Sequence, residues 1–200
     1  MKNIIFNIIN KYGYFGITLL IALENIVPPI PSEVILSFSG FISKYANLNL
    51  LLIIISSVLG SLIGALILYY LAYFIGLKLL GFKFFKICGL KSENVKKSII
   101  HFKTNGKKSI FFGRFVPIIR SFISIPAGLS KMDIKLFVIL TTIGSLIWNT
   151  IFIFIGYFLK DKWETITTFF EDYSFIIFLV FIGIYFIIKK IKSRKIITVG

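Results

Sequence analysis

The feature that most constrains the fold is a run of 28 residues, 50–77, that contains no charged side chain. A membrane-spanning helix needs about 20 apolar residues, so this run is long enough to cross a bilayer with some tilt. Three other stretches are candidates: 4–23, which is interrupted at 11–14, 134–159 and 174–188. Apolar residues make up 57% of the chain and charged residues 16%, and the mean hydropathy is +0.92. This composition excludes a soluble domain and a disordered chain and predicts an all-α polytopic membrane protein.

Two further apolar stretches, 26–42 and 109–130, are broken by proline and glycine. Proline removes a backbone donor and kinks a helix, and broken backbone at membrane depth survives only inside protein or beside a wet cavity. We therefore predict two re-entrant hairpins, each of which enters and leaves by one face of the membrane. The residues predicted to shape them are Pro28, Pro31 and Gly40 in the first hairpin, and Pro117, Pro126 and Gly128 in the second.

The distribution of charge predicts the orientation. The net charge is +15, and basic residues gather between apolar runs, which is typical of cytoplasmic loops and not of a nucleic-acid-binding protein. Residues 78–108 hold nine Lys and one Glu, 189–195 hold five basic residues, and 160–172 hold two Lys and four acids. The positive-inside rule then places both termini in the cytoplasm if 109–130 is re-entrant. The first hairpin enters from outside, and the basic amphipathic stretch 91–108 contacts anionic inner-leaflet lipids.

An internal repeat accompanies the hairpins. Residues 60–74 match residues 144–158 at seven of fifteen positions, and Gly-Ser-Leu-Ile occurs at 60–63 and again at 144–147. With the predicted orientation, the two helices run in opposite directions. A hairpin followed by a helix, repeated upside down, is the plan of many secondary transporters. The alternative is chance similarity between two apolar, glycine-containing helices.

Five segments follow from these patterns. They are an N-terminal helix (1–25), a first hairpin and helix (26–77), a basic cytoplasmic loop (78–108), a second hairpin and helix (109–159), and an outer loop, last helix and basic tail (160–200).

Four charged residues in or beside the broken stretches are the candidate site: Glu24, Glu33, Arg114 and Arg120. A charge at the bilayer centre costs about 2.5–3.5 kcal/mol or more, so such residues normally face a cavity or one another. Arginine presents a planar fork that fits phosphate, and a buried carboxyl can exchange a proton. We predict that the two arginines bind a phosphate and that Glu33, with Glu24 as second member, couples transport to protons. The alternatives are static salt bridges and an Arg114 that reaches the inner membrane face.

Other residues carry weaker signals. Asn25 and Asn149 are candidates to line the cavity, or else form ordinary helix hydrogen bonds, and Asp133 is predicted to cap a helix. One cysteine, Cys88, excludes an internal disulfide and a cysteine metal cluster. Because Walker, H-E-x-x-H and G-x-S-x-G motifs are absent from the sequence, we predict no cofactor, no metal and no enzymatic activity.

These motifs together resemble the DedA family, also called SNARE-associated or VTT-domain proteins. The first signature is Glu-Asn-Ile-Val-Pro-Pro-Ile-Pro-Ser-Glu at 24–33, and the second is Gly-Arg-Phe-Val-Pro-Ile-Ile-Arg at 113–120. Supporting residues are Ser39-Gly40, Pro126-Ala127-Gly128, Gly144 and Trp148-Asn149. The resemblance extends from about Tyr12 to Tyr157, which is most of the chain.

The resemblance implies a function and its residues. Bacterial members are associated with recycling of undecaprenyl phosphate across the cytoplasmic membrane, some with dependence on the proton-motive force, and eukaryotic relatives scramble phospholipids. The family's functional acids correspond to Glu24 and Glu33, and its functional arginines to Arg114 and Arg120. Many members have Gly-Asp where this chain has Ser32-Glu33, so the reach of the second carboxyl differs.

We therefore predict a transporter in the bacterial cytoplasmic membrane that returns undecaprenyl phosphate from the outer to the inner leaflet, coupled to protons. Alternatives are a broad phospholipid scramblase, a proton-dependent transporter of another solute, a lipid-phosphate phosphatase, and a scaffold for envelope maintenance. The sequence leaves the oligomeric state open, including a homo-oligomer.

Overall fold

The computed structural model describes residues 2–26, 32–76, 102, 105–116 and 119–159. Every regular element among them is helical, as the all-α prediction requires. In chain order the helices are α1 (Lys2–Ile26), α2 (Ser32–Tyr45), α3 (Leu50–Ile75), a helical segment at 105–113, α4 (Ile119–Phe122), α5 (Ser124–Leu129) and α6 (Ile134–Leu159). All of them belong to one compact unit, Met1–Lys160.

Some sequence predictions concern residues outside these ranges. They are the outer loop, last helix and tail at 160–200, most of the basic loop at 78–108, and the hairpin-shaping role of Pro28, Pro31 and Pro117.

Helices α3 and α6 are, within the described residues, the two that are long and apolar enough to cross a membrane. Each contains 26 residues, which corresponds to about 39 Å of helix, and the hydrocarbon core of a bilayer is about 30 Å thick. Helix α6 coincides with the predicted stretch 134–159. Helix α3 ends at Ile75, two residues before the uncharged run does, because Gly76 adopts a φ of 62° and its N–H bonds back to the carbonyl of Ala72.

Helix α1 is divided at Gly13, where φ is 53° and ψ is −128°. Glycine reaches this conformation readily because it has no Cβ. The part of α1 after the break, residues 14–26, is about 20 Å long, and the 14 residues of α2 make about 21 Å. Neither is long enough to cross the hydrocarbon core.

The second part of α1 packs against α3 through small residues. Gly60 faces the carbonyl of Thr18 and Gly64 faces that of Ala22, so closely that a Cβ at either glycine would clash. The hydroxyl of Thr18 also donates to the carbonyl of Ser56 at 3.1 Å. Because residue numbers rise together along this contact, the two helices run in the same direction.

Helices α3 and α6 are joined by hydrogen bonds between polar side chains. The amide nitrogen of Asn149 donates to the hydroxyls of Ser57 at 3.1 Å and Ser61 at 3.2 Å. Further along, the ring centroids of Tyr69 and Phe137 lie 4.7 Å apart. Later residues of α3 thus contact earlier residues of α6, so this pair is antiparallel.

The short helices α2 and α5 each rest on one long helix. Gly40 of α2 lies against the backbone carbonyl of Ile153 in α6, and Gly128 of α5 lies against that of Tyr69 in α3. Both glycines lie inside helices, where the missing side chain permits backbone-to-backbone contact. Pro126 lies in the first turn of α5, where a missing N–H leaves no intrahelical hydrogen bond unmade.

Candidate functional site

The centre of the site is an ion pair between two halves of the chain. An Nη2 atom of Arg120, in α4, lies 2.6 Å from Oε2 of Glu24, in the last turn of α1. Only 5% of Arg120 and 4% of Glu24 are exposed. Breaking a buried pair by removing one partner typically costs 3–5 kcal/mol, so these two residues depend strongly on each other.

Further hydrogen bonds surround the pair of Glu24 and Arg120. The hydroxyl of Ser121 donates to Oε1 of Glu24 at 3.4 Å, so both carboxylate oxygens have a partner. The backbone N–H of Arg120 donates to the carbonyl of Val116 at 3.0 Å. The guanidinium hydrogen bond that the described residues show for Arg120 is the one from Nη2 to Glu24.

Arg114 lies beside the pair and is fully buried in the protein, with 2% exposure. It donates from Nη1 to the backbone carbonyl of Arg120 at 3.0 Å, and from Nη2 to the hydroxyls of Ser124 at 3.3 Å and Thr141 at 3.1 Å. Its Nε is buried without a partner in the described part of the chain. Arg114 thus ties α4, α5 and α6 together, and no carboxylate of the described residues neutralises it.

Gly144 provides the space that Arg114 occupies. A Cβ at position 144 would lie 2.9 Å from the Cβ of Arg114, which real Cβ atoms do not tolerate. The glycine in this part of α6 is therefore needed for the arginine to lie flat against the helix.

Glu33 is the fourth charged residue, in the first turn of α2. It is 8% exposed and has no hydrogen bond or ion pair with another described residue. Its charge nevertheless acts on Glu24, so the two carboxyl groups lie within electrostatic range. A carboxylate in the first turn is also stabilised by the helix dipole.

The structure therefore buries all four charged residues predicted from the sequence. It joins Glu24 to Arg120 directly, links Arg114 to the backbone of Arg120, and leaves Glu33 close to Glu24 but unpaired within the described ranges. Arg114 does not reach a membrane face, as the snorkelling alternative required, because its guanidinium is held inside by Ser124 and Thr141.

Sequence reasoning missed three residues at the site: Ser121, Ser124 and Thr141. Ser121 directly follows Arg120 and Ser124 comes four positions after it, and this proximity in the sequence was the available signal. Thr141 lies in a different helix. It shares a face of α6 with Ser145 and Asn149, because residues four and eight positions apart lie on one side of a helix. That polar stripe in an apolar helix was the signal for Thr141.

The two asparagines behave differently. The amide of Asn25 donates to the carbonyl of Ile21 in its own helix at 3.1 Å, which is the ordinary helix hydrogen bond given above as the alternative to lining a cavity. Asn149 instead joins α6 to α3, and its Oδ1 is buried without a partner in the described ranges. Asp133 is confirmed as a cap, because its carboxylate accepts from the backbone N–H of Leu136 at 2.9 Å.

Metal binding finds no support in this part of the chain. Among the described residues, no group of three His, Cys, Asp or Glu side chains could hold a metal ion. The chemistry available at the site is that of two buried guanidinium groups, two carboxyl groups and hydroxyls.

Comparison with known proteins agrees with this set of residues. The model of the VTT domain family matches residues 30–158, and the chain belongs to that family. An "Alkaline phosphatase-like protein" of Lactococcus lactis subsp. lactis is 45% identical over 192 residues, covering 94% of this chain and 89% of the relative. "Undecaprenyl phosphate transporter A" of Staphylococcus aureus is 38% identical over 201 residues, covering 98% of both chains. "Protein DedA" of Escherichia coli is 27% identical over 135 residues, covering 66% of this chain and 61% of that protein.

No solved structure matches the chain. The family and the two long apolar helices identify a bacterial membrane protein, and the resemblance to DedA proteins in the sequence motifs is confirmed.

Proposed function

We propose that the protein carries undecaprenyl phosphate across the bacterial cytoplasmic membrane, from the outer to the cytoplasmic leaflet. The observation that supports this most directly is the buried pair of Arg120 and Glu24. A phosphate monoester competes well with a carboxylate for a guanidinium, because it also offers two oxygens to the planar fork and carries a larger negative charge. The full-length similarity to a protein named for undecaprenyl phosphate transport points to the same substrate.

In this proposal the two arginines have different tasks. Arg120 binds the phosphate, because its guanidinium already holds an anion, the carboxylate of Glu24, that a phosphate can replace. Arg114 adds positive charge and holds the backbone of Arg120 in place. The polyprenyl tail stays in the lipid, so only the headgroup needs a polar path.

Protons drive the exchange at Arg120. While Glu24 is ionised, it occupies the guanidinium at 2.6 Å. Protonation of Glu24 removes the charge that holds Arg120, and the phosphate then takes its place. Glu33 is the second carboxyl able to hold a proton near the pair. The two states differ in which anion Arg120 binds, so a proton gradient can shift the balance between them.

The proposed architecture is an inverted repeat with two re-entrant hairpins, and local geometry recurs at a constant offset of 84 positions. Asn47 and Lys131 both have positive φ, at 51° and 53°. Asn49 and Asp133 each accept a backbone N–H at the start of a long helix. The 26-residue helices α3 and α6 follow at that same offset.

Packing between the halves recurs as well. Gly40 rests on the carbonyl of Ile153, and Gly128 rests on that of Tyr69. The two carbonyls are 84 positions apart, and the two glycines are 88 positions apart. Each half thus places its short helix on the long helix of the other half. Because α3 and α6 are antiparallel, the two halves are related by inversion in the membrane.

Near the helix ends, a lysine of each half contacts a tyrosine of the other half. The ammonium of Lys44 lies 4.1 Å from the ring centroid of Tyr157, and that of Lys131 lies 5.6 Å from the ring centroid of Tyr73. Tyr73 and Tyr157 are again 84 positions apart. Such cation–π contacts at the two ends favour a hairpin entering from each face.

The test is lipid movement in proteoliposomes. Polyprenyl phosphate and phosphatidylglycerol are compared, with and without a pH gradient, for the wild type, Arg120→Ala and Arg120→Lys. We expect Arg120→Ala to reduce polyprenyl phosphate movement to background and Arg120→Lys, which keeps the charge but loses the fork, to retain a fraction. Lys135→Gln, an exposed charge change in α6, is the control. Movement by Arg120→Ala at the wild-type rate would refute the proposal, and equal movement of both lipids would indicate a scramblase.

A phosphatase is the second candidate, favoured by the name of the Lactococcus relative. Release of inorganic phosphate from polyprenyl phosphate and polyprenyl pyrophosphate, measured in the same vesicles, separates it from transport. Translocation without phosphate release supports the carrier, and release that depends on Arg120 supports the phosphatase.

A further inference from the structure

A second basic feature lies away from the Glu24–Arg120 pair. A cleft of about 420 Å³ opens between the start of the helical segment 105–113 and the start of α6. One part of its lining is apolar and consists of Phe102, Met132 and Leu136. The other part is polar and cationic and includes Asn105, Lys107 and Lys108. The cleft therefore combines an apolar surface with two positive charges.

The lining has the chemistry of an amphiphilic anion site. Lys107 and Lys108 are both exposed, and no described carboxylate lies within salt-bridge distance of either. Phe102, in contrast, is buried. A lipid phosphate offers both an anionic group for the lysines and an apolar chain for the remaining surface, whereas a hydrated inorganic anion uses only the former.

The cleft lies about two helical turns from the buried Arg114. Lys107 precedes Arg114 by seven positions, and the backbone N–H of Arg114 still bonds to the carbonyl of Ile110. Seven residues are two helical turns, so Lys107 and Arg114 share a face of this segment and lie about 10 Å apart along its axis. The positive-inside rule assigns the basic loop at 78–108 to the cytoplasm, and this predicted orientation would put the cleft on the cytoplasmic side of Arg114.

We propose that Lys107 and Lys108 form a receiving site for a phosphate monoester, which takes the headgroup after it leaves Arg120 and holds it at the cytoplasmic surface. This inference rests on the proposed transport function for its direction, but binding to the cleft does not require transport. The separation of about 10 Å between Lys107 and Arg114 is close to the Debye length at 0.1 M salt, so the charges of the cleft still attract a phosphate that leaves the buried arginines.

The experiment uses the full-length protein and the double variant Lys107→Gln/Lys108→Gln. The matched control is Lys96→Gln/Lys97→Gln, which removes the same charge from the same basic loop, and the rescue variant replaces Lys107 and Lys108 by Arg. The transport readout is the rate at which polyprenyl phosphate moves to the cytoplasmic side of proteoliposomes. We expect the 107/108 variant to lose about tenfold in rate, because charged hydrogen bonds to phosphate are lost, while the control and the rescue variant stay within about twofold of the wild type. A rise in salt should slow the wild type more than the 107/108 variant.

A binding readout keeps this test independent of transport. Labelled polyprenyl phosphate and labelled inorganic phosphate are bound to protein in nanodiscs in an Arg120→Ala background, which removes the inner site. Loss of about tenfold in affinity on adding the 107/108 change supports the cleft, and the label that binds more tightly identifies lipid-linked or free phosphate as its ligand. If the wild type moves no polyprenyl phosphate but this binding loss is seen, the transport proposal fails and the site remains. Equal effects of the 96/97 and 107/108 changes, or no effect of either, would overturn the site.

Discussion

The guanidinium of Arg114 donates a hydrogen bond to the backbone carbonyl of Arg120 at 3.0 Å. One arginine thereby fixes the position of the other, although only Arg120 contacts a carboxylate in the described part of the chain. Two guanidinium groups six residues apart would repel each other if both faced the same cavity. Here the guanidinium of Arg114 donates to one carbonyl and two hydroxyls. Arg114 therefore supports the backbone of Arg120, and Arg120 holds the carboxylate.

Arg114→Lys should impair transport while leaving the charge unchanged, because a single ammonium cannot reach three acceptors in fixed directions. We expect a stability loss of at least about 2 kcal/mol, measured by thermal unfolding in detergent, together with a lower transport rate. Thr141→Val keeps the shape of the side chain but removes one acceptor of Arg114. We expect it to lower the free energy of unfolding by about 1 kcal/mol. Wild-type stability in Arg114→Lys would show that the hydrogen bonds seen here do not hold Arg120.

Replacements of Glu24 should separate charge from folding. Glu24→Gln keeps an acceptor for Arg120 and Ser121, so we expect a folded protein whose transport no longer responds to a pH gradient. Glu24→Ala leaves Arg120 buried without its partner and should cost about 3–5 kcal/mol of stability. The comparison is made by unfolding temperature and by transport at two pH values. A Glu24→Gln variant that still follows the gradient would assign the coupling to another group, with Glu33→Gln as the next variant.

Gly128→Ala should destabilise the protein far more than Gly113→Ala. At position 128 a Cβ would meet the backbone carbonyl of Tyr69, which cannot move without shifting α3. At position 113 it would meet side-chain atoms, those of Ile123 at 3.1 Å and Ile119 at 3.5 Å, which can move away more easily than backbone. We expect overpacking of about 1–3 kcal/mol or more at Gly128, measured as a fall in unfolding temperature. Similar stabilities of the two variants would contradict the close contact of α5 with α3.

Asn149→Ala should weaken the junction of the two long helices. The substitution removes hydrogen bonds to Ser57 and Ser61, and each such bond contributes about 0.5–1.5 kcal/mol. Asn25→Ala is the matched control, because the hydrogen bond that Asn25 makes among the described residues is to Ile21 within its own helix. Asn25→Ala should lower the unfolding temperature less than Asn149→Ala does. The reverse order would argue against the hydrogen bonds between α3 and α6.

The charged site could be predicted from the sequence because ionisable groups inside apolar runs are rare and conspicuous. Glu24, Glu33, Arg114 and Arg120 were all found in this way. Their pairing could not be predicted, because Glu24 and Arg120 are 96 positions apart and residue type alone does not decide which acid meets which base. The distinct surroundings of Arg114 depend on how α6 lies against the segment before it, and the polar stripe that contains Thr141 does not indicate which residue it contacts.

The helices themselves followed largely from apolar length and from local capping residues. The end of α3 at Ile75 was missed because an uncharged run continues to residue 77, and only the backbone at Gly76 marks the stop. The glycines at 40 and 128 were recognised as special, but as turn formers. Their contacts with carbonyls of distant helices depend on tertiary packing, which the sequence pattern does not contain.

The ion pair between Glu24 and Arg120 also has a consequence for biogenesis. During synthesis the acid emerges 96 residues before its base, so the nascent N-terminal half must enter the membrane with a carboxyl group that has no counterion. An unpaired acid at the bilayer centre carries an insertion penalty of about 2.5–3.5 kcal/mol. Stable integration of the first helices is therefore completed only when the second half arrives, and chains that stop before Arg120 are expected to be natural targets for membrane quality control.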